Sequence, residues 1–165
     1  MKVISNSSPL IYLSKIGKIF LLQKLFDEVF IPKEVFDEIS LGKAAGFSGA
    51  LIIEEAIEDG WIKIMEIKPD EKLVRFAREL DIGEAAVLTL ARKMDPGLVL
   101  MDDASGRSIV ESFGFNVKGT IYVLLKAYRN ELESKQAVKD SIDNLIHAGF
   151  RISTELYARI LRELE

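Results

Sequence analysis

Two adjacent carboxylates, Asp102 and Asp103, follow directly after the apolar run LVLM at residues 98–101. Such a run is typical of a strand that is buried on both faces of a sheet. Two like charges at its tip are unfavourable, because repulsion and desolvation both oppose them. A divalent cation would remove this conflict, since Mg²⁺ and Mn²⁺ bind hard oxygen ligands. The pair therefore indicates metal-assisted chemistry, whereas Asp103 alone is also explained as the N-cap of the next helix.

Two further acids lie on predicted helices, and each has an ordinary structural explanation as well. Glu84 is in the first turn of IGEAAVLTLARKM, where a carboxylate interacts favourably with the helix dipole. Glu38 stands four residues after Glu34 in KEVFDEIS, where a solvated side chain is the default. A cluster of acids without histidine or cysteine suits phosphoryl chemistry, in which a metal ion activates water and neutralises charge on the phosphate.

The composition excludes several classes of active site. The 165 residues contain no cysteine, which rules out disulfides, thiolate metal sites and thiol nucleophiles. The one histidine, His147, lies near a predicted helix end beside no obvious nucleophile, so a serine–histidine–acid triad is not favoured. With 26 acidic and 22 basic residues the net charge is −4, which provides no global attraction for nucleic acid. A polyanion would have to be held by a local basic patch or through a bound cation.

The chain carries no pattern that indicates export or insertion into a membrane. The N-terminus becomes polar at Ser5, which does not fit a secretory signal. No apolar run approaches the roughly 20 residues that a membrane span requires. We therefore expect a cytoplasmic protein with no membrane partner.

Short apolar segments alternate with helical patterns along the whole chain. Strands are predicted at MKVIS, VFI, WIKIMEI, LVLM and FNVKG, with helices between and after them. This alternation predicts a single domain over residues 1–165, an α/β fold with α/β/α layers around a parallel sheet of four to five strands. Residues 42–49 are predicted as a loop, residues 69–81 as one helix, and Pro9 as the first position of a helix.

Polar residues end the first and fourth predicted strands. Asn6, Ser7 and Ser8 follow the first, and Asp102 and Asp103 follow the fourth. In a parallel sheet the ligand crevice lies at the C-terminal ends of the strands. If these two strands are neighbours, the five polar residues converge on one edge of the sheet.

The order of motifs resembles the PIN-domain family, and more closely its archaeal and bacterial subgroup of predicted nucleic-acid-binding proteins. The resemblance covers nearly the whole chain, and four motifs in the right order make it specific. A fifth stretch, at the C-terminus, matches the subgroup as well. The segments are VISNSSPLIYLSKIG, VFIPKEVFDEI, LDIGEAAVLTLARK, LVLMDDASGRSIVESFGFNVKGTIYVLLKA and the closing LIHAGFRISTELYARILRELE.

The resemblance implies a Mg²⁺- or Mn²⁺-dependent endoribonuclease, the toxin of a toxin–antitoxin pair, acting on single-stranded RNA. It also implies a small antitoxin protein as partner and a homodimer. The catalytic positions of the family fall on Asn6, Glu38, Glu84 and Asp103, with Asp102 as an additional neighbour. Of these, Glu84, Asp103, Asn6 and Asp102 would hold the metal, while Ser7, Ser8 and Arg107 would contact the substrate.

Asn6 departs from the family pattern, which usually has an aspartate as a central metal ligand at that position. Asparagine still offers a carbonyl oxygen, but the loss of one negative charge weakens cation binding. Three outcomes stay open: Asp102 compensates, the protein is a binding module without activity, or Asn6 is a change in an otherwise competent site. Thr120 likewise stands where some members place a further acid.

Two alternatives to a nuclease remain. The first is a catalytically weakened or inactive module that binds nucleic acid or a partner protein. The second is a nucleotide-binding or response-regulator-like domain, which also has paired acids at a strand tip but leaves Glu38 and Glu84 without a role. For the nuclease, recruitment of RNA would depend on basic residues around the crevice, for which the candidates are Lys2, Lys33, Lys43, Arg107 and Lys118.

Overall fold

The computed structural model describes residues 1–165 and contains one parallel sheet of five strands. The strands lie in the order β3-β2-β1-β4-β5. Their bounds are β1 Val3–Ser5, β2 Val29–Pro32, β3 Ile62–Met65, β4 Leu98–Leu100 and β5 Val117–Lys118. All four pairings are parallel, which confirms the predicted sheet.

Ten helices flank this sheet and complete the α/β/α sandwich. They are α1 Ser7–Lys15, α2 Phe20–Phe26, α3 Lys33–Ala44, α4 Ala50–Glu58, α5 Glu71–Phe76, α6 Ile82–Met94, α7 Ala104–Ser112, α8 Thr120–Arg129, α9 Lys135–His147 and α10 Thr154–Glu163. No helix combines the length and the apolar character that crossing a membrane would require.

The central strands β1 and β4 are neighbours, as convergence of the polar residues requires. Every residue of both strands is buried, and Ser5 pairs with Leu100. The backbone N–H of Asn6 donates to the carbonyl oxygen of Leu100 at 2.9 Å. Strand order reverses between β1 and β4, and such a switch point in a parallel sheet is where a ligand crevice opens. The polar residues after both strands therefore start at the same edge, side by side.

The bounds of α5 and α3 differ from the sequence-based expectation. The helix predicted over residues 69–81 is only α5, because Asp70 caps its start and the backbone leaves the helical region at Ala77. By contrast, α3 is longer than predicted and continues to Ala44, inside the segment predicted as a loop.

The start of α1 also differs from expectation. Asn6 occupies the N-cap position, so Pro9 is the third residue of the helix instead of the first. The Asn6 side chain makes no capping hydrogen bond, which leaves it free for the cleft described next.

Candidate functional site

A cleft of about 630 Å³ opens at the C-terminal ends of β1 and β4. It is lined mostly by polar and charged side chains from segments that are far apart in sequence. Seven of the eight site residues predicted from the sequence lie in its wall, which brings them together as expected: Asn6, Ser7, Ser8, Glu38, Glu84, Asp102 and Asp103.

Asn6 presents a buried amide oxygen to this cleft. Its side chain is 7% exposed, and Oδ1 has no hydrogen-bond partner. A buried polar atom without a partner costs free energy, and the usual function of an N-cap side chain would have been to satisfy a backbone N–H of the helix. The Asn6 oxygen is therefore an acceptor that no group of the chain satisfies, at a residue of the cleft wall.

Glu84 is the second buried group with an unpartnered oxygen. It is 5% exposed, and its Oε1 accepts a hydrogen bond from the backbone N–H of Asp81 at 3.1 Å. Asp81 in turn accepts from the backbone N–H of Glu84 at 2.7 Å, so the two residues form a capping box at the start of α6. The box fixes the direction of the carboxylate, while Oε2 stays buried without a partner.

The surroundings of Glu84 disfavour its charged form. Burial raises the pKa of the Glu84 carboxyl above its ordinary value, and the negative charges of Asp81 and Asp103 raise this pKa further. The backbone N–H of Asp81 acts in the opposite direction. A buried carboxylate beside other acids is the arrangement that a bound cation would stabilise.

Asp103 lies next to Glu84 through the backbone of Gly106. Its Oδ2 accepts a hydrogen bond from the N–H of Gly106 at 2.8 Å, so Asp103 is the N-cap of α7. A Cβ at residue 106 would collide with Glu84 Oε2, which places that oxygen against the same glycine. One carboxylate oxygen of Asp103 is thus committed to the cap, and the other has no hydrogen-bond partner within the chain.

Asp102 is held by hydrogen bonds from two other elements. Its Oδ2 accepts from the hydroxyls of Ser8 at 2.7 Å and Thr120 at 2.8 Å, and its Oδ1 accepts from the backbone N–H of Thr120 at 2.7 Å. Asp102 therefore joins the starts of α1 and α8 to the end of β4. Thr120 is itself buried.

Glu38 reaches the cleft beside Gly83, at the start of α6. Three side-chain oxygens surround the point where a Cβ of Gly83 would lie: Glu38 Oε2 at 3.2 Å, and Asn6 Oδ1 and Asp81 Oδ1 at 3.5 Å each. The glycine leaves this space open, and the oxygens from α1, α3 and α6 approach one another across it.

Arg107 is the one predicted site residue that does not line the cleft. Its Nη1 lies beside Gly119, on the side of Asp102 that faces the start of α8. The other four basic candidates, Lys2, Lys33, Lys43 and Lys118, do not line the cleft either, and Lys33 and Lys43 are paired with Asp37 and Glu54. The expected ring of cations is absent from the cleft wall.

Other residues of the cleft were missed from the sequence. Arg151 is its one lysine or arginine, and it comes with Phe150 from the segment between α9 and α10. That segment is held by Tyr12, whose ring packs edge-on against Phe150 with centroids 5.0 Å apart. Asp81 had a signal in the sequence, because the spacing Asp81-x-x-Glu84 is that of a capping box, whereas Arg151 had none. Glu79 also lines the cleft.

The candidate ligand atoms of the cleft are of the type that a hard divalent cation binds, but few are present. All are oxygens, and two of them, Asn6 Oδ1 and Glu84 Oε2, are buried without partners, as ligands of Mg²⁺ or Mn²⁺ would be before the ion binds. No group of three or more histidine, cysteine, aspartate or glutamate side chains is arranged to hold a metal ion.

Comparison with protein families gives one finding. A family model described as a PIN domain matches residues 2–165. The match covers every segment that lines the cleft, from the polar residues after β1 to Phe150 and Arg151. Comparison with curated proteins gave no match.

Proposed function

The chain belongs to the PIN-domain family, and from this we propose that it is a divalent-metal-dependent endoribonuclease and the toxin component of a toxin–antitoxin pair. PIN domains are generally nucleases that use divalent metals. The substrate we propose is single-stranded RNA. We also propose a small antitoxin protein and a second copy of the chain as partners.

Three side-chain oxygens of the chain are buried without partners, and the two that belong to residues of the cleft, Asn6 Oδ1 and Glu84 Oε2, carry this proposal; the third, Glu34 Oε2, belongs to a residue outside the cleft. Both belong to side chains in the wall of one cleft, together with Asp103. Folding has desolvated these oxygens without giving them a hydrogen bond, which is unfavourable unless a ligand supplies the missing interaction. A cation is the ligand that also offsets the repulsion between Glu84 and its acidic neighbours.

Glu84, Asp103 and Asn6 would hold the ion, with Asp102 next to it. A bound Mg²⁺ or Mn²⁺ supplies Lewis-acid activation of water and neutralises charge on the scissile phosphodiester. The capping box orients the Glu84 carboxylate, and the N-cap bond orients Asp103. Ser7 and Ser8 face the same cleft and would contact the substrate, and Arg151 supplies a positive charge for a phosphate.

Asn6 also favours a second candidate, a catalytically weakened PIN-fold module that binds RNA or a partner protein. An amide in place of a carboxylate removes one unit of charge from the site. No three acids are arranged around a common ion. In this alternative the cleft keeps its shape but does not hold a metal tightly enough for turnover.

Cleavage of single-stranded RNA with Mn²⁺, with Mg²⁺ and with a chelator tests the proposal. We expect metal-dependent cleavage that falls by more than about 100-fold in Asp103→Asn, because loss of a ligand costs more than the roughly 10- to 100-fold typical of groups behind the ligands. Asparagine is as good an N-cap as aspartate, so this variant keeps the helix start and isolates the charge. Cleavage that persists in chelator or in the variant would exclude the mechanism.

Calorimetry separates the two candidates. Binding of Mn²⁺ that is lost in Asp103→Asn supports the nuclease, whereas no binding at millimolar Mn²⁺ supports the module without turnover. The Asn144→Asp variant, which adds one charge on the exposed face of α9, controls for nonspecific attraction of the ion.

A further inference from the structure

A second groove, of about 410 Å³, lies beside the acidic cleft between α5 and α7. Glu79 lines both, so the two concavities are neighbours. The wall of this second groove combines two aromatic rings with two arginines: Arg75, Phe76, Arg78 and Phe113. We call it the Phe76 groove.

Phe76 is exposed to an extent that packing does not explain. At the end of α5 its side chain is 83% exposed, the most of any large hydrophobic residue of the chain. Its ring meets Phe113 edge-on, with centroids 6.2 Å apart and an interplanar angle of 83°. Exposed apolar rings are unfavourable in water, and a ring with an open face is a surface on which a planar group can stack.

The cations around these rings have no acidic partners. Arg75 and Arg78 line the groove, and the guanidinium of Arg92 lies 5.7 Å from the centroid of Phe113. None of the three takes part in an ion pair of the structure. In a chain whose net charge is −4, the groove wall holds two unpaired arginines and one acid, Glu79, and Arg92 next to Phe113 adds a third cation, so the local charge is positive.

We propose that the Phe76 groove binds single-stranded RNA and directs it into the acidic cleft; this proposal rests on the proposed nuclease function. Single-stranded nucleic acid supplies a partner for both kinds of side chain in the groove: phosphates pair with the arginines, and flat bases stack on the ring of Phe76. An acidic peptide would satisfy the arginines but leave the open ring face without a stacking partner. The wall shared through Glu79 places the bound strand next to the acids that would cleave it.

Binding is measured by fluorescence anisotropy with a labelled single-stranded oligoribonucleotide in chelator, so that cleavage plays no part. The variants are Phe76→Ala, Phe76→Trp and the double variant Arg75→Gln with Arg78→Gln. Phe20 provides the matched control: it is 38% exposed on α2 with Lys24 5.3 Å from its ring centroid, and it lines neither groove nor cleft. Phe20→Ala therefore removes an aromatic ring next to a cation at another place.

We expect Phe76→Ala to weaken RNA binding by roughly 5- to 150-fold, the range for removal of one stacked base. Phe76→Trp keeps the binding of the wild type because it retains an aromatic ring, and Phe20→Ala leaves binding unchanged. In the double arginine variant the slope of log affinity against log salt falls by about 0.7 for each phosphate that is no longer neutralised. Thermal unfolding of each variant confirms that the domain is intact.

Three results would overturn the assignment: no RNA binding by the wild type, equal binding by Phe76→Ala, or displacement of RNA by polyglutamate as readily as by unlabelled RNA. The last result would identify the groove as a site for an acidic protein. Failure of the nuclease proposal is a separate result, because it is seen as RNA that binds in chelator yet is not cleaved with Mn²⁺. If the wild type cleaves RNA while the groove variants bind RNA normally, the groove assignment is refuted and the nuclease proposal stands.

Discussion

The Cα of Gly106 lies directly against the carboxylate of Glu84, so closely that a Cβ at residue 106 would collide with Glu84 Oε2 and approach the sulfur of Met101 at 2.9 Å. The glycine sits in the first turn of α7, and its N–H donates to Asp103. The backbone at Gly106 therefore contacts both Glu84 and Asp103, the two acids of the candidate metal site.

Replacement of this glycine should disturb the site as well as the fold. We expect Gly106→Ala to displace the Glu84 carboxylate and to lower the free energy of unfolding by about 1–3 kcal/mol, the usual cost of overpacking. Gly42→Ala on α3 is the control, because its Cβ would meet nothing closer than 3.6 Å. Thermal unfolding with and without Mn²⁺ measures both effects. A Gly106→Ala protein as stable and as responsive to Mn²⁺ as the wild type would contradict the close contact.

Asn6→Asp should increase the response to metal. The new carboxylate lies at a buried position near other acids, so in chelator we expect a loss of stability of about 1–3 kcal/mol. Saturation with Mn²⁺ at 100 times its dissociation constant adds about 2.7 kcal/mol and should offset most or all of this loss. Melting curves in chelator and in Mn²⁺ measure this, with Asn144→Asp as control. Equal curves under the two conditions would argue against a metal at Asn6.

The raised pKa of Glu84 predicts how stability changes with pH in the absence of metal. Between the ordinary glutamate pKa of about 4.3 and the raised pKa in the fold, the folded chain holds a proton that the unfolded chain has lost. Since the folded state then binds more protons, the free energy of unfolding decreases as pH rises through this window. The cost of the buried charge is absent below the window and complete above it.

Glu84→Gln should flatten that part of the pH profile and stabilise the metal-free protein at neutral pH. Glutamine keeps a carbonyl oxygen for the N–H of Asp81 but carries no charge. Glu79→Gln, which neutralises an exposed acid of the same cleft, serves for comparison. The measurement is the unfolding temperature in chelator from acidic to neutral pH. Parallel profiles for wild type and Glu84→Gln would show that another group causes the change.

Asp102 and Asp103 are adjacent but should respond differently to substitution. Asp102 accepts three hydrogen bonds from Ser8 and Thr120, so Asp102→Ala should cost about 2–4 kcal/mol of stability. Asp103→Asn should leave stability nearly unchanged because the cap is kept. Chemical denaturation measures both. If Asp102→Ala were as stable as wild type and lost only its response to Mn²⁺, Asp102 would be a metal ligand instead of a structural one.

The sheet and the position of the cleft were predictable because they depend on local patterns. Apolar runs that end in polar residues identified β1 and β4, and parallel pairing brings their ends together. The capping box at Asp81 was also within reach of the sequence, from its spacing to Glu84. The helix bounds around Ala77 were not, because helical propensity continues past the residue where the backbone turns away.

The basic residues show where sequence reasoning stops. The five basic residues predicted from the sequence to surround the crevice lie outside the cleft wall. Arg151 comes from the segment that Phe150 anchors on Tyr12, and Arg92 of α6 meets Phe113 at the end of α7. Such contacts join residues that are distant in sequence, and neither composition nor periodicity along the chain predicts them.

The three hydrogen bonds of Asp102 have a consequence for how the domain comes apart. They tie the beginnings of α1 and α8 to the tip of a central strand, and these segments are separated by 94 residues in one direction and by 18 in the other. These bonds oppose local opening at the mouth of the cleft while the middle of the sheet is intact. We therefore expect the cleft and the sheet to unfold together in one cooperative transition.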